Sequence, residues 1–424
     1  MSEQNVHEKK SSMALIWLCW LVYSCSYVGK VNFNANINLL QEYFEISDYA
    51  KIGIVSSLFF FSYGIGQVVN GLWCKKYNIK WIIFASMMTS GIINLIIPLL
   101  PSFGPIKYLW IVNGFSLSIL WPTLIRLLSE SLSKKYMAKA SIIMGTTVAV
   151  GTFFVYGSSA VYATFTTFKA SFFTGAVVMI GVALIWICSI SKIKSPLDKL
   201  EREVDLPLQK AAESTATLIN KKTIYLVICV LAFCGVATNL IKDGLGTWVP
   251  SIMKSMFGLD NSTSIILTLA LPIVAIFGNA LAVFVHKKMS DFVHQCALMF
   301  FVSGVIIILV IASISWGAFL ILLVGFAAVT LLVSSCNSLI TSIFPLFMKG
   351  KVNSGRIAGV LNGFCYLGST LSTYVLSMIA DRHGWLTVFW TLFFVCVSVV
   401  AIALVYSLIR KLVFKAGIAQ STDE

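Results

Sequence analysis

From end to end the chain repeats apolar runs of about twenty residues, separated by short polar stretches. A helix needs about 20 such residues to cross a hydrocarbon core, at a rise of roughly 1.5 Å each. Backbone groups facing lipid must be bonded internally, which leaves helices or a closed barrel. These runs lack the alternation of strands, so they are read as helices. Charge supports the reading. Only 11% of residues are charged and 58% are apolar, with a mean hydropathy of +0.89. A water-soluble fold carries about 25% charged residues, so lipid has to be much of the solvent here. The expected fold class is all-α integral membrane, with twelve transmembrane helices in two six-helix bundles.

Spans are expected near 13–33, 51–73, 81–100, 105–128, 140–162 and 169–191. A second set is expected near 223–253, 262–285, 293–313, 316–346, 355–380 and 384–410. Between the sets lies the longest polar stretch, 192–222, which has the charge density of a solvated linker. The chain thus divides into an N-terminal tail (1–12), a first bundle (13–191), the central linker (192–222), a second bundle (223–411) and a C-terminal tail (412–424). The polar start, MSEQNVHEKKSSM, runs directly into the first span with no small-residue cleavage site, so no cleavable signal peptide is expected.

A net charge of +14 invites a nucleic-acid reading, which the distribution of that charge rejects. Placing both tails and the linker on one side gives that side 23 basic residues and the other side five. The rich side holds Lys75, Lys76 and Lys80, Lys134, Lys135 and Lys139, and Lys287 and Lys288. The positive-inside rule makes it cytoplasmic, so both termini are expected inside a plasma (inner) membrane. The first outer loop carries Glu42, Glu45 and Asp48. The ten cysteines are scattered and form no CxxC pair, as small buried hydrophobes do. The four histidines form no ligand cluster, and neither a P-loop nor GxSxG is present. No metal, no cofactor and no enzymatic activity are therefore expected.

Six helices, a cytoplasmic linker and six more suggest two parallel repeats. Three cations fall within spans: Lys30, Arg126 and Lys242. Lys30 in the first span and Lys242 in the seventh lie at nearly the same depth of helices that the repeat makes equivalent. An ionisable group inside a membrane is costly and marks a functional candidate. Tyr23, Tyr27, Lys30 and Asn34 follow i, i+4, i+7, i+11 spacing on one helix face, while Asn239, Lys242 and Gly246 repeat i, i+3, i+7. Two readings stay open for each lysine. It lines an aqueous cavity and holds an anion, or it snorkels to the nearer interface. Two cations facing one cavity would repel each other and favour a guest carrying about two negative charges, a phosphate monoester or a dicarboxylate. Asp243 lies about 100° round the helix from Lys242, open to a neighbouring helix, to Lys30 or to a proton-carrying role. Arg126 and Glu130, at i, i+4, suit an internal salt bridge better than substrate contact. The aromatic run SLFFFSYG at 57–64 is expected to face lipid or to pack.

Several strings resemble the major facilitator superfamily, and within it the organophosphate:phosphate antiporters of glycerol phosphate and hexose phosphates. Tyr27-Val-Gly-Lys30-Val-Asn32-Phe33 is similar to that family's Tyr-x-x-Arg-Lys-Asn-Phe. GLWCKKYNIK at 71–80 resembles its second-to-third-helix loop, and Trp121-Pro122-Thr-Leu-Ile-Arg126 its fourth-helix motif. Lys242-Asp-Gly244-Leu-Gly-Thr-Trp248-Val-Pro250 resembles its seventh helix, and Gly359 to Ser369, followed by Asp381-x-x-Gly384-Trp385, its eleventh. The resemblance implies that Lys30 and Lys242 stand where arginines hold the substrate phosphate, with Tyr23, Tyr27, Trp121 and Tyr366 lining the cavity. Arginine grips phosphate bidentately, whereas lysine is a point charge. Other positions depart: Val148 replaces a histidine, Gln67 a lysine, and Lys75 the acidic residue of the loop motif, with Lys287 at the equivalent place in the second half.

The function expected is therefore secondary transport of a small anion, phosphorylated and exchanged for phosphate, by a monomer in the lipid bilayer that uses alternating access. Lys30, Lys242, Tyr23, Tyr27, Asn34, Asn239, Trp121 and Tyr366 would bind the substrate. Asp243, Arg126 and Glu130 would serve coupling or gating. Gly151, Gly157, Gly363 and Gly368 would allow close helix approach. The alternatives are proton-coupled symport of a carboxylate, and a transporter-like sensor of sugar phosphates that signals to a kinase.

Overall fold

A computed structural model of the chain describes residues 3–73, 78–165, 167–201, 221–314, 319–348 and 354–421. All the regular elements among these residues are helical. Among the described residues, eleven helical stretches are long and apolar enough to cross a membrane. The last of them, Ile357–Arg410, is two helices joined at Gly384, whose φ of 77° breaks the rod. Only glycine takes that conformation without strain, so this one residue ends the eleventh span and begins the twelfth.

The ends differ from expectation. Helix already runs through the expected N-terminal tail as Glu3–Ala35, and the sixth helix, Phe168–Glu201, continues into the expected linker. Helix likewise extends through the expected C-terminal tail to Ser421. Polar residues outside the apolar runs can still close helical hydrogen bonds once an adjoining span has supplied the nucleus. Lys75 and Lys76 lie outside the described residues.

Prolines mark the fourth, seventh, eighth and tenth spans, of which the fourth and tenth are equivalent under the repeat. A proline lacks the N–H that would bond the carbonyl four residues earlier. The fourth span divides into Ile106–Leu117 and Leu120–Ser131, just ahead of Pro122. The tenth carries a π-turn at Leu339–Ile343 ahead of Pro345, in the equivalent helix of the second half. The eighth breaks between Asn261–Thr268 and Ala270–Ala275 ahead of Pro272, and Pro250 lies inside the seventh, Lys221–Phe257. Asp260 caps the eighth helix by accepting from the Thr263 N–H at 3.0 Å, and its bonds to Thr263 hold its carboxyl below the usual range.

Contacts divide the chain into two compact units. The first comprises Met1–Lys210 and Thr247–Ile273, and the second Ala211–Gly246 and Val274–Glu424. The seventh helix thus changes unit between Gly246 and Thr247. In the first unit, helix one packs on five and six, two on four, and three on six. In the second, eight packs on ten, nine on twelve, and seven on eleven. The pairings one–five, two–four and three–six therefore recur as seven–eleven, eight–ten and nine–twelve, as the parallel repeat requires.

Glycines permit the closest of these approaches. A Cβ on Gly151 would sit 2.2 Å from the Ser24 carbonyl oxygen of helix one, and a Cβ on Gly368 would sit 2.1 Å from that of Val236 on helix seven. Gly157, expected to play the same part, faces open space, with nothing within 4 Å of its would-be Cβ. The first unit also has a buried polar hub. Asn36 donates to Asn32 Oδ1 (3.0 Å), Ser159 (3.1 Å) and Ser171 (2.9 Å), and Asn32 donates to Asn94 (3.2 Å). This hub ties helices one, three, five and six.

Candidate functional site

In the first unit, the face expected on helix one forms as a stack. The rings of Tyr23 and Tyr27 lie 5.6 Å apart, edge to face, and Trp121 of the fourth helix lies 4.6 Å from Tyr23. Lys30, half-buried, places Nζ 5.1 Å from the Tyr27 ring and 4.2 Å from the ring of Tyr63. Tyr63 comes from the second helix, Tyr49–Trp73, and is buried. Aromatic faces hold a cation through the ring quadrupole while leaving its charge in place.

The stretch 57–64 divides as lipid-facing and packing surface: Phe61 is exposed, while Phe59, Phe60 and Tyr63 turn inward, and Tyr63 also meets Lys30. A signal for this exists in the sequence. Ser56, Tyr63, Gln67 and Asn70 follow i, i+7, i+11, i+14 spacing, a polar stripe along one face of helix two.

Asn34 is buried, and its amide is engaged. It accepts from Ser56 Oγ at 2.5 Å and donates to Thr247 Oγ1 at 3.0 Å. Arg126 and Glu130 form the i, i+4 salt bridge that their spacing favours, at 2.7 Å. Gln67, where the resembling family has lysine, donates to the Ser118 carbonyl at 3.0 Å, and Asn70 donates to Ser118 Oγ at 2.8 Å. Ser118 is four residues before Pro122, so Gln67 fills the acceptor that Pro122 leaves without a helical N–H.

In the second unit, Lys242 Nζ stands 3.9 Å from Asp243 Oδ1. Successive residues point apart around a helix, but both side chains are long enough to bend toward each other. The expected angle of about 100° fixes where the two side chains start, while their tips come within 3.9 Å, a separation longer than a hydrogen bond. The other carboxylate oxygen of Asp243 accepts from Ser369 Oγ on the eleventh helix. Asn239 donates to the same Ser369 oxygen at 3.1 Å, and its carbonyl accepts from Asn337 of the tenth helix at 2.7 Å. Asp243 and Asn239 are thereby fixed to helices ten and eleven. Tyr366, half-buried, lies one turn before Thr370, whose hydroxyl bonds the Tyr366 carbonyl at 2.9 Å. Ser369 and Asn337 were not expected here.

Among the described residues, no group of three or more His, Cys, Asp or Glu side chains could hold a metal. What the residues offer is charge and hydrogen bonding. The first unit presents an ammonium framed by tyrosines, and the second an ammonium beside a carboxylate.

The sequence profile of the Major Facilitator Superfamily matches residues 19–355. Among curated relatives, "Sugar phosphate exchanger 3" of Bos taurus is 23% identical, over 85% of this chain and 80% of its own length. "Membrane sensor protein UhpC" of Escherichia coli K12 is 22% identical, over 90% of this chain and 88% of its own. Among solved structures, a bacterial homologue of the human lysosomal transporter Spinster, inward-facing and occupied, has a TM-score of 0.74 at 13% identity, covering 93% of this chain and 96% of its own.

Proposed function

Because the chain belongs to the Major Facilitator Superfamily, and is thus a multi-pass membrane transporter rather than an enzyme, we propose that it carries a small phosphorylated metabolite, a sugar phosphate above all, in exchange for phosphate. The observation that carries the reading is the setting of Lys30. Its ammonium rests on the faces of Tyr63 and Tyr27, which position the cation. A charge at that depth of a span is costly and marks a functional candidate. Lys242 supplies the second cation, with Tyr23, Trp121 and Tyr366 lining the path. Alternating access then exposes the bound anion to one side at a time. The protein acts as a monomer in a plasma (inner) membrane with both termini cytoplasmic, in keeping with the positive-inside count. The names of the bovine exchanger and the bacterial sensor support the sugar-phosphate class.

A second reading draws on Asp243. With Lys30, Lys242 and Asp243 all ionised, the three sum to one positive charge, which suits a monoanion. Protonating Asp243 would restore two. That is the chemistry of proton-coupled carboxylate symport.

Purified protein in proteoliposomes separates these readings. Exchange predicts uptake of labelled hexose 6-phosphate only when the vesicles are loaded with phosphate, and loss of uptake in Lys30→Ala. Uptake driven by a pH gradient into phosphate-free vesicles would replace exchange with symport. Tight binding with no flux under either condition would point to a sensor, the role named for the relative from Escherichia coli.

A further inference from the structure

Where helix eight ends and helix nine begins, the second unit carries titratable groups that solute binding does not explain. Helix eight closes with Gly278–Lys288, and helix nine, Phe292–Ile314, opens under a cap. Asp291 Oδ1 accepts from the N–H groups of Val293 (3.0 Å) and His294 (3.2 Å), two of the donors that a helix start leaves unpaired. Its other oxygen accepts from Arg410 and, at 3.4 Å, from the Tyr406 hydroxyl, both on helix twelve. His294 lies in the same corner. Its Nδ1 stands 3.1 Å from Asp291 Oδ1, and its Nε2 stands 2.8 Å from Ser407 Oγ, again on helix twelve. The carboxylate and the imidazole thus tie the start of helix nine to the end of helix twelve, which runs on to Ser421.

The protons decide what His294 can do. Asp291 is capped onto N–H groups and paired with Arg410, so it is a carboxylate and only accepts. The proton between it and His294 is therefore on Nδ1. Ser407 has one proton and two acceptors in reach, the Ala403 carbonyl at 2.8 Å and His294 Nε2 at 2.8 Å. When the imidazole is neutral, Ser407 donates to Nε2. When it is protonated, Nε2–H donates to Ser407, whose own proton goes to Ala403. Both states keep the contacts, and the second gives each Asp291 oxygen its own cation. His286, at the end of helix eight, is the contrast. Its Nδ1 accepts at 3.2 Å from the Gln295 amide nitrogen, which also donates to the Met289 carbonyl. Protonating His286 would set two donors against each other.

We infer that His294 is a pH sensor, whose protonation clamps helix twelve to the start of helix nine and whose deprotonation loosens it. Imidazole changes charge between roughly pH 5 and 8, where carboxylate, phenol, ammonium and guanidinium ordinarily do not. On its own helix the group facing His294 is Asp291, and helix twelve brings Tyr406 and Arg410. Helix ten brings Phe344 and Phe347 against Phe292 at this end. Lys287 and Lys288 close helix eight and oppose a further positive charge, but both are exposed and screened by solvent. Asp291, in direct contact, favours it. The clamp is therefore present at low pH and is lost as pH rises through the range of imidazole.

The sensor does not depend on which solute is carried, and its test uses none. The full chain is placed in lipid nanodiscs. Hydrogen exchange of residues 403–410, expressed as protection relative to the intrinsic rate at each pH, reports how firmly helix twelve is held. The parent should be roughly two- to fivefold better protected at about pH 5.5 than at about pH 8, the effect of one partly exposed ion pair. His294→Gln keeps hydrogen-bonding groups but cannot gain the charge, so its protection should be equal at both. His286→Gln should keep the parental difference. Nitrogen NMR of the parent should show the His294 ring passing from two protonated nitrogens to one over the same range. Equal protection of the parent at the two pH values would overturn the sensor, and so would a difference that survives in His294→Gln. A His294 ring that never changes charge would overturn it too, and that spectrum stands even if the variants fold poorly.

Discussion

Lys30 and Lys242 stand at nearly the same depth of repeat-equivalent helices, yet the two halves hold them in opposite ways. Lys30 lies on tyrosine faces, 4.2 and 5.1 Å from the ring centres. Lys242 lies 3.9 Å from a carboxylate. A ring contact of this kind contributes about 0.5–2 kcal/mol and leaves the cation's field intact. A unit charge 3.9 Å away contributes about 4 kcal/mol at an effective dielectric near 20, before desolvation and screening by water at these partly exposed groups, and cancels that field at a distance. The repeat thus conserves the position of the cation and not its electrostatics. Lys30 is the ring-held cation, and the Lys242–Asp243 pair is the adjustable one.

The largest effect should come from Lys30→Ala. Removing one partner of a desolvated charge pair costs about 2–5 kcal/mol, so hexose-phosphate affinity should fall by roughly two orders of magnitude or more. A ligand-induced thermal shift, measured against the unliganded melting point of each chain, checks this. Removing the second pair whole, as Lys242→Ala with Asp243→Asn, should cost less, because its two charges largely cancel at a distance. If the two losses are equal, the asymmetry drawn here is wrong.

Asp243→Asn sharpens the same comparison. The amide keeps an acceptor for Ser369 and removes the negative charge, so the site should gain a net positive charge. Phosphate esters carry one negative charge at pH 5 and nearly two at pH 7.5, their second ionisation lying near pH 6. The substitution should therefore improve binding at pH 7.5 by about tenfold and at pH 5 by less. Uptake that depends on a pH gradient in the parent and loses that dependence in Asp243→Asn would favour symport over exchange. An unchanged ratio between the two pH values would remove Asp243 from the charge balance.

Tyr63 provides a smaller test. Tyr63→Leu removes the ring under Lys30 and should raise KM by about fivefold, equivalent to about 1 kcal/mol, with kcat little changed. Tyr63→Phe keeps the ring and should stay near the parent. A leucine variant with parental KM would show that the ring is packing and not a cradle.

These tests also mark what could be read from the residues alone. The spans followed from run length, and the repeat from matched lysines, because hydrocarbon thickness and backbone hydrogen bonding leave few choices. The stack of Tyr23, Tyr27 and Lys30 was legible because all three lie on one helix, where spacing fixes the face. Partners on other helices were not. Tyr63 was hidden in an aromatic run whose other members face both ways, and Ser369 looked like one serine among many on helix eleven. Asp243 shows a different limit. Its Cα direction is fixed by the helix, but the last bonds of Asp243 and Lys242 are free to swing. Sequence spacing places a side chain's root and not its tip.

Gln67 carries the smallest expected effect, and it separates structure from binding most cleanly. A lysine at this position in the resembling family invites a substrate role, yet here the amide serves the Ser118 carbonyl freed by Pro122. Gln67→Leu should therefore destabilise the protein by about 1 kcal/mol, the worth of one such hydrogen bond, with little change in hexose-phosphate affinity. Pro122→Ala gives the fourth helix back the N–H that can bond Ser118. In that background Gln67→Leu should cost much less, and a double-mutant cycle on thermal stability measures the difference. Additive losses would show that the two residues do not share the carbonyl. A loss of affinity without a loss of stability would return Gln67 to the substrate path, beside Tyr63 on the same stripe of helix two.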